Sequence, residues 1–272
     1  IADALVDAGF DVICHATNHA LDKGKKGILN TLSNWEEDYP DITVLGIYDN
    51  EADSEEIPLV SVNGITLAIL NYTYGTNGIA LPSDMPYCVE LLDKEKVIAD
   101  LEQAESLADF TIVCPHWGVE YSLTPSQDQE NWCKLFLDHG ADLVLGTHPH
   151  VIEPVTVMED DAGHSMVVYY SLGNFVNWTS GTGAGVANRM VGGMADVTLE
   201  RDKDGTVKVS DYGVIPLICH VRSGHDGVTV YPLGEYDETL GNENEIRSQD
   251  SAFSYDYCRE LTESIWGEVV RK

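Results

Sequence analysis

In the first half of the chain, short apolar runs alternate with segments whose apolar residues recur at helical spacing. IADALVDAG reads as the end of an amphipathic helix closed by Gly9, and FDVICHA as a short buried strand. Ile28, Leu29, Leu32 and Trp35 fall at i, i+1, i+4 and i+7, which predicts a helix over 24–38. ITVLGI (42–47) is strand-like. IPLVSV and ITLAIL flank Asn63-Gly64, a pair suited to a two-residue type I′ turn, so 57–70 reads as a hairpin. Residues 73–90 carry Gly, Pro, Asn and Ser without a period and read as a loop. A helix at about 93–108 and the strand FTIVCP (110–115) follow. In TPSQ (124–127), Thr at the N-cap, Pro at the first helical position and Gln at the third open a helix that Gly140 ends. ADLVLG (141–146) is the next strand.

Beyond residue 150 the pattern becomes strand after strand: VIEPVTVM, SMVVYYSLG, MADVTLERD and GTVKVSDYG. An Asp-Ala-Gly turn joins the first two and a Lys-Asp-Gly turn the last two. Residues 181–193 are Gly-rich and expected to be mobile, and the tail from about 251 is expected to be helical. Alternating strand and helix imply parallel strands in the first half, and the hairpins imply antiparallel strands in the second. The expected fold is a layered α/β sandwich, a single domain over 1–272.

Composition changes this picture little. No stretch approaches the roughly 18 unbroken apolar residues of a spanning helix. The chain begins at Ile1, in the middle of a helical pattern, and reads as a piece of a longer precursor. Any signal peptide or membrane anchor would lie upstream. Charge says more: 46 acidic residues against 15 basic ones give a formal charge of −31. That argues against nucleic acid or an anionic membrane as partner, since both require clustered Lys and Arg, and is accounted for by solubility. The six cysteines show no C-x-x-C spacing, and Cys14 and Cys114, inside apolar runs, read as small packed hydrophobes.

The histidines carry the candidate chemistry. His15 and His19 follow DVIC, His116 follows TIVCP, and His148 and His150 follow DLVLG. Five of nine histidines thus lie just past the carboxyl ends of three strands expected to be parallel, where open α/β folds place ligands. Imidazoles with the amide of Asn18 and nearby carboxylates suit a divalent ion such as Zn²⁺ or Mn²⁺. In His148-Pro149-His150, extended alternation would send the two rings to opposite faces, able to serve two metals, or one metal and a substrate. His139, just before Gly140, reads instead as a cation at a helix C-terminus.

DVICHATNHALDKGKKGILNTL, CPHWGVEY, GADLVLGTHPHVIEPV and YYSLGNF together resemble the poly-γ-glutamate capsule-synthesis (CapA-type) family, in order from about residue 1 to 176. That family has the calcineurin-like metallophosphoesterase fold, an αββα sandwich. The resemblance implies that Asn18, His116 and His148 bind one divalent metal and His150 another. It implies that His19 donates a proton to the leaving group, and that Glu120 and Asn174 orient ligands or substrate; His15, kept as a candidate near the substrate, reads from its own surroundings as a packing or hydrogen-bonding residue. Thr17 stands where the family usually has Asn. The family's early Gly-Asp and Asn-Leu-Glu motifs would lie upstream of Ile1, so the domain is expected to lack its first strands and the metal site part of its carboxylates.

The implied function is capsule polymer biosynthesis, with metal-dependent hydrolysis of a phosphoester or a cell-envelope polymer bond. The implied partners are an anionic polymer or phosphoester substrate and other capsule-synthesis proteins. The implied location is extracytoplasmic, on the cell surface or membrane-anchored in the intact protein. Two other readings stand beside it. One is a non-catalytic surface component of a capsule synthesis or export machine. The other is a metal-independent enzyme using His19 and a carboxylate as an acid–base pair.

Overall fold

The computed structural model describes residues 1–271, and of His225 only the backbone. The chain divides into two compact units. The first comprises Ile1–Trp117, Lys134–Val144 and Asp160–His164; the second comprises Gly118–Cys133, Leu145–Glu159 and the chain from Ser165 onward.

The chain opens with α1 (Ala2–Asp7), β1 (Val12–Cys14), α2 (Gly24–Asp38), β2 (Thr43–Leu45), the single turn α3 (Glu51–Ser54), β3 (Leu59–Val62), β4 (Ile65–Thr73), α4 (Lys94–Leu107) and β5 (Phe110–His116). Local chemistry sets most of these bounds. Gly9, at φ +86°, follows α1, and the Asp93 carboxylate caps α4 by accepting from the Glu95 and Lys96 amides. The buried face of α2 carries Ile28 and Trp35, as its periodicity predicts. Asn63 and Gly64, at φ +50° and +83°, make the β3–β4 hairpin turn.

α5 (Gln127–Asp138) and β6 (Leu143–Leu145) come next. Within the first unit, β1 runs parallel to β2, β4 parallel to β5, and β5 parallel to β6. α5 opens later than expected, because its capping box is formed by Ser126 and Gln129. The Ser126 hydroxyl accepts from the Gln129 amide at 3.3 Å, and the Gln129 side chain accepts from the Ser126 amide at 2.8 Å. Cys14 keeps an exposed surface while its thiol lies against that of Cys114, which is half-buried.

The second unit holds β7 (Val155–Glu159), β8 (Ser165–Tyr169), β9 (Val191–Arg201), β10 (Val207–Val221), β11 (Val228–Pro232), α6 (Glu238–Glu243) and α7 (Tyr255–Trp266). β7 and β8 pair antiparallel, and β10 lies at the centre of an antiparallel sheet ordered β11-β10-β9. β10 runs past the expected end at Gly213, because VIPLICHV continues it as a largely buried stretch. The segment 181–193, expected to be mobile, is partly built into structure. Val186–Met190 is a 3₁₀ turn, and Val186, Ala187, Met190 and Val191 are buried, which anchors it. At Gly193 a Cβ would come within 2.5 Å of the Trp266 ring, so the absent side chain admits the ring of α7 against β9.

The chain is therefore mixed α/β, largely parallel in its first half apart from the β3–β4 hairpin and antiparallel in its second, as its pattern predicts. No helix among the described residues is long and apolar enough to cross a membrane.

Candidate metal centre

In the second unit the chain leaves β6 through Gly146, which is tied at both polar groups. Its amide donates to Tyr169 O at 2.8 Å, and its carbonyl accepts from the Leu172 amide at 3.0 Å. The next turn bends sharply: His148 lies at φ +102° and His150 at φ +61°. Tyr121, at φ +67°, donates its amide to Pro149 O at 2.7 Å. Such conformations cost on the order of 1–3 kcal/mol each in residues with side chains, and they persist where the surroundings enforce them. The extended alternation expected of His-Pro-His is therefore absent. Both rings turn inward, their centroids 5.9 Å apart. One ligand atom each from Glu120, His148 and His150 lies within 4.8 Å of the other two.

His150 is held with one nitrogen assigned. Asn174 donates its Nδ2 to two carbonyls, His150 O at 3.0 Å and Arg189 O at 2.9 Å, which fixes the orientation of the amide. Its Oδ1 must then accept from His150 Nδ1 at 3.0 Å. The Nδ1 proton leaves the Nε2 lone pair as the donor toward a metal. The Tyr121 ring stacks on His150 at 5.9 Å. His148 is buried, His150 half-buried and Glu120 exposed, so the donors run from the interior to the surface.

In the first unit, the turn after β1 brings Asn18 to the end of β5. Asn18 is buried, its Oδ1 2.9 Å from His116 Nε2, and its Nδ2 donates to Asn77 Oδ1 at 3.0 Å. His19 is exposed and points its Nδ1 at Asp22 Oδ2, 2.8 Å away. His15 accepts a hydrogen bond from Trp35 Nε1 at 2.8 Å, and burial holds its pKa below the usual histidine value.

Both sets fit a divalent ion by donor chemistry. Two histidines and a carboxylate are a common set for zinc-like ions. Donors about 2.0–2.2 Å from one ion stand roughly 3–4 Å apart, so a 4.8 Å envelope closes by sub-ångström side-chain movement. Asn18 Oδ1 and His116 Nε2, at 2.9 Å, already stand at the spacing of adjacent ligands.

Residues 1–179 match the model of the bacterial capsule synthesis protein PGA_cap. The chain belongs to this family. It is 36% identical over 179 residues to the PGA biosynthesis protein CapA of Bacillus subtilis, covering 64% of this chain and 45% of that protein. It is 34% identical over 184 residues to the capsule biosynthesis protein CapA of Bacillus anthracis, covering 65% and 43%. The chain thus spans less than half the length of these curated relatives. Among solved structures it resembles the NAD nucleotidase of Haemophilus influenzae, with a TM-score of 0.50 and 13% identity over 98% of this chain and 48% of that one. It also resembles a Staphylococcus aureus protein described as a 5′-nucleotidase, in complex with alpha-ketoglutarate, with a TM-score of 0.50 and 20% identity over 79% and 40%. The family and these neighbours make the fold metallophosphoesterase-like, as the sequence motifs imply.

Two groups near these residues, Arg189 and Glu153, carry no local sequence signal. Arg189 lays its guanidinium 3.6 Å over the Tyr121 ring. Glu153 is fully buried and accepts from Gln129 Nε2 at 2.7 Å. Burial pushes its carboxyl up to about 7 against the opposing pull of that hydrogen bond. Glu120 itself, read from the sequence as an orienting residue, stands among the metal donors.

Proposed function

We propose that the chain serves synthesis or export of a capsule polymer of the poly-γ-glutamate type, as a metal-dependent hydrolase of phosphoester or polymer bonds. The observation that supports this most is the triad of Glu120, His148 and His150, drawn from two loops that hold Tyr121, His148 and His150 at positive φ. A divalent ion there would supply Lewis acidity and a water acidic enough to act as nucleophile near neutral pH. The chain's own residues would do the rest. Asn174 presents His150 in one tautomer. His19, exposed and 2.8 Å from Asp22, would give a proton to a leaving group, as the family resemblance implies. Location outside the cytoplasm and partnership with other capsule-synthesis proteins rest on the family.

The test is elemental analysis and calorimetry with Mn²⁺ and Zn²⁺ on the full-length protein. The intact protein should retain divalent metal through dialysis, and His148→Ala and His150→Ala should each weaken binding at least about tenfold. A protein that takes up neither ion would sink the hydrolase reading. The 2.8 Å His19–Asp22 contact favours a second reading, a metal-independent acid–base pair. Turnover that survives complete chelation would select it.

A further inference from the structure

We infer that Arg189 receives the anionic group of the substrate beside the metal donors. This rests on the metal-site reading and adds the class of ligand, an oxyanion such as a carboxylate or a phosphate.

Arginine is scarce in this chain, where 15 basic residues face 46 acidic ones, and carboxylate partners are abundant. Arg259 and Arg271 each engage two or more carboxylates. Arg189 does not. Among the described residues its side chain meets neutral groups, donating from Nη1 to Thr179 Oγ1 at 2.8 Å and lying on the Tyr121 ring. Its Nε is buried without an acceptor. A half-buried guanidinium with an unmet donor is costly, because the desolvation of Nε is offset by no acceptor and that of the charge by no carboxylate. Such an arrangement is expected where an anion completes it.

Its position says which anion. The ring under the guanidinium is the one stacked on His150, and the Arg189 carbonyl is held by the Asn174 side chain that orients His150. Arg189 is therefore linked to His150 of the candidate donor set through two intermediaries, Tyr121 and Asn174. Beside it, a Cβ at Gly181 would come within 3.1 Å of Nη1, so a glycine there leaves room for the guanidinium. Guanidinium offers a planar fork that matches the two oxygens of a carboxylate or phosphate, which lysine cannot reproduce. The formal charge of −31 does not oppose this at close range, since charges beyond about 8 Å are largely screened at physiological salt.

The test uses the full-length protein, with and without Zn²⁺, titrated with inorganic phosphate and with γ-glutamylglutamate, which separate the two oxyanion sources. Zinc content is measured first. The intact protein should bind at least one of the two, and Arg189→Gln should weaken that binding about 10- to 100-fold, with zinc content unchanged. Arg189→Lys keeps a charge without the fork and should fall between, and it carries the test should the glutamine variant not fold. Zinc-loaded protein that binds neither probe, or binds equally in all three forms, overturns the inference and leaves the metal reading standing. Protein that takes up no zinc when offered it, yet whose phosphate binding falls in Arg189→Gln, sinks the metal reading and supports Arg189.

Discussion

At position 19 an exposed imidazole sits with its Nδ1 2.8 Å from Asp22 and 3.5 Å from Asn77 Nδ2, while the adjacent Asn18 is buried against His116. Neighbours in sequence thus face different surroundings, and the proposal gives them different tasks: Asn18 would hold a metal, and His19 would donate a proton. His19→Ala should lower turnover about 10²–10⁴-fold, the usual contribution of a general acid, with bound metal unchanged by elemental analysis. Loss of metal in proportion to activity would make His19 a ligand instead. Asn18, His19, His116, His148 and His150 could be singled out as candidates because imidazole and amide at strand ends are themselves chemical signals. Arg189 and Tyr121 were not. Their meeting depends on a left-handed residue at 121 and on the 3₁₀ turn at Val186–Met190, neither of which leaves a periodic trace.

Among the elements, β4 does more than fill the sheet. Asn71 on β4 is buried, accepts the Ala16 amide at 2.8 Å and donates to Cys114 O at 2.8 Å. It ties the turn leading from β1 to Asn18 to the strand that ends at His116. Gly46 makes room for it: at φ +82°, a Cβ there would meet Asn71 Oδ1 at 2.3 Å. Asn71→Ala would leave a buried amide and a buried carbonyl unpaired, costing about 2–3 kcal/mol in urea unfolding and loosening Asn18 against His116. A variant as stable as the parent would show that water replaces the side chain. Elements with strong periods and local caps, such as α2, α4 and the β3–β4 hairpin, could be read directly. The start of α5 could not, because Thr124 and Ser126 flank Pro125 as rival caps. The choice falls to Ser126 because its partner Gln129 is fixed in turn by the distant Glu153. Tertiary contact settles what local chemistry leaves open.

Over the whole molecule, the charge of −31 was plain from composition, but which carboxylates are buried was not. Glu90, Asp142 and Glu153 are each raised to about 7, first by burial, with Asp100 adding to Glu90 and Glu105 to Asp142. The sign follows from proton counting. Between the ordinary carboxylate value near 4 and about 7, the folded chain binds more protons than the unfolded one, so stability falls as pH rises across that window. Mutual repulsion of the exposed acids grows over the lower part of the same range and acts in the same direction. Urea midpoints should therefore be higher at pH 5 than at pH 8, the reverse of a protein held by salt-bridged carboxylates. Salt separates the two causes. Screening removes repulsion between exposed charges but leaves buried desolvation nearly untouched. Glu153→Gln should then raise stability at pH 8 by on the order of 1–3 kcal/mol, keep that gain at high salt, and confer little at pH 5, where the parent's carboxyl is already protonated. An equal gain at both pH values would mean that Glu153 is neutral throughout, and no gain at either that Gln129 stabilises its charge as well as water does.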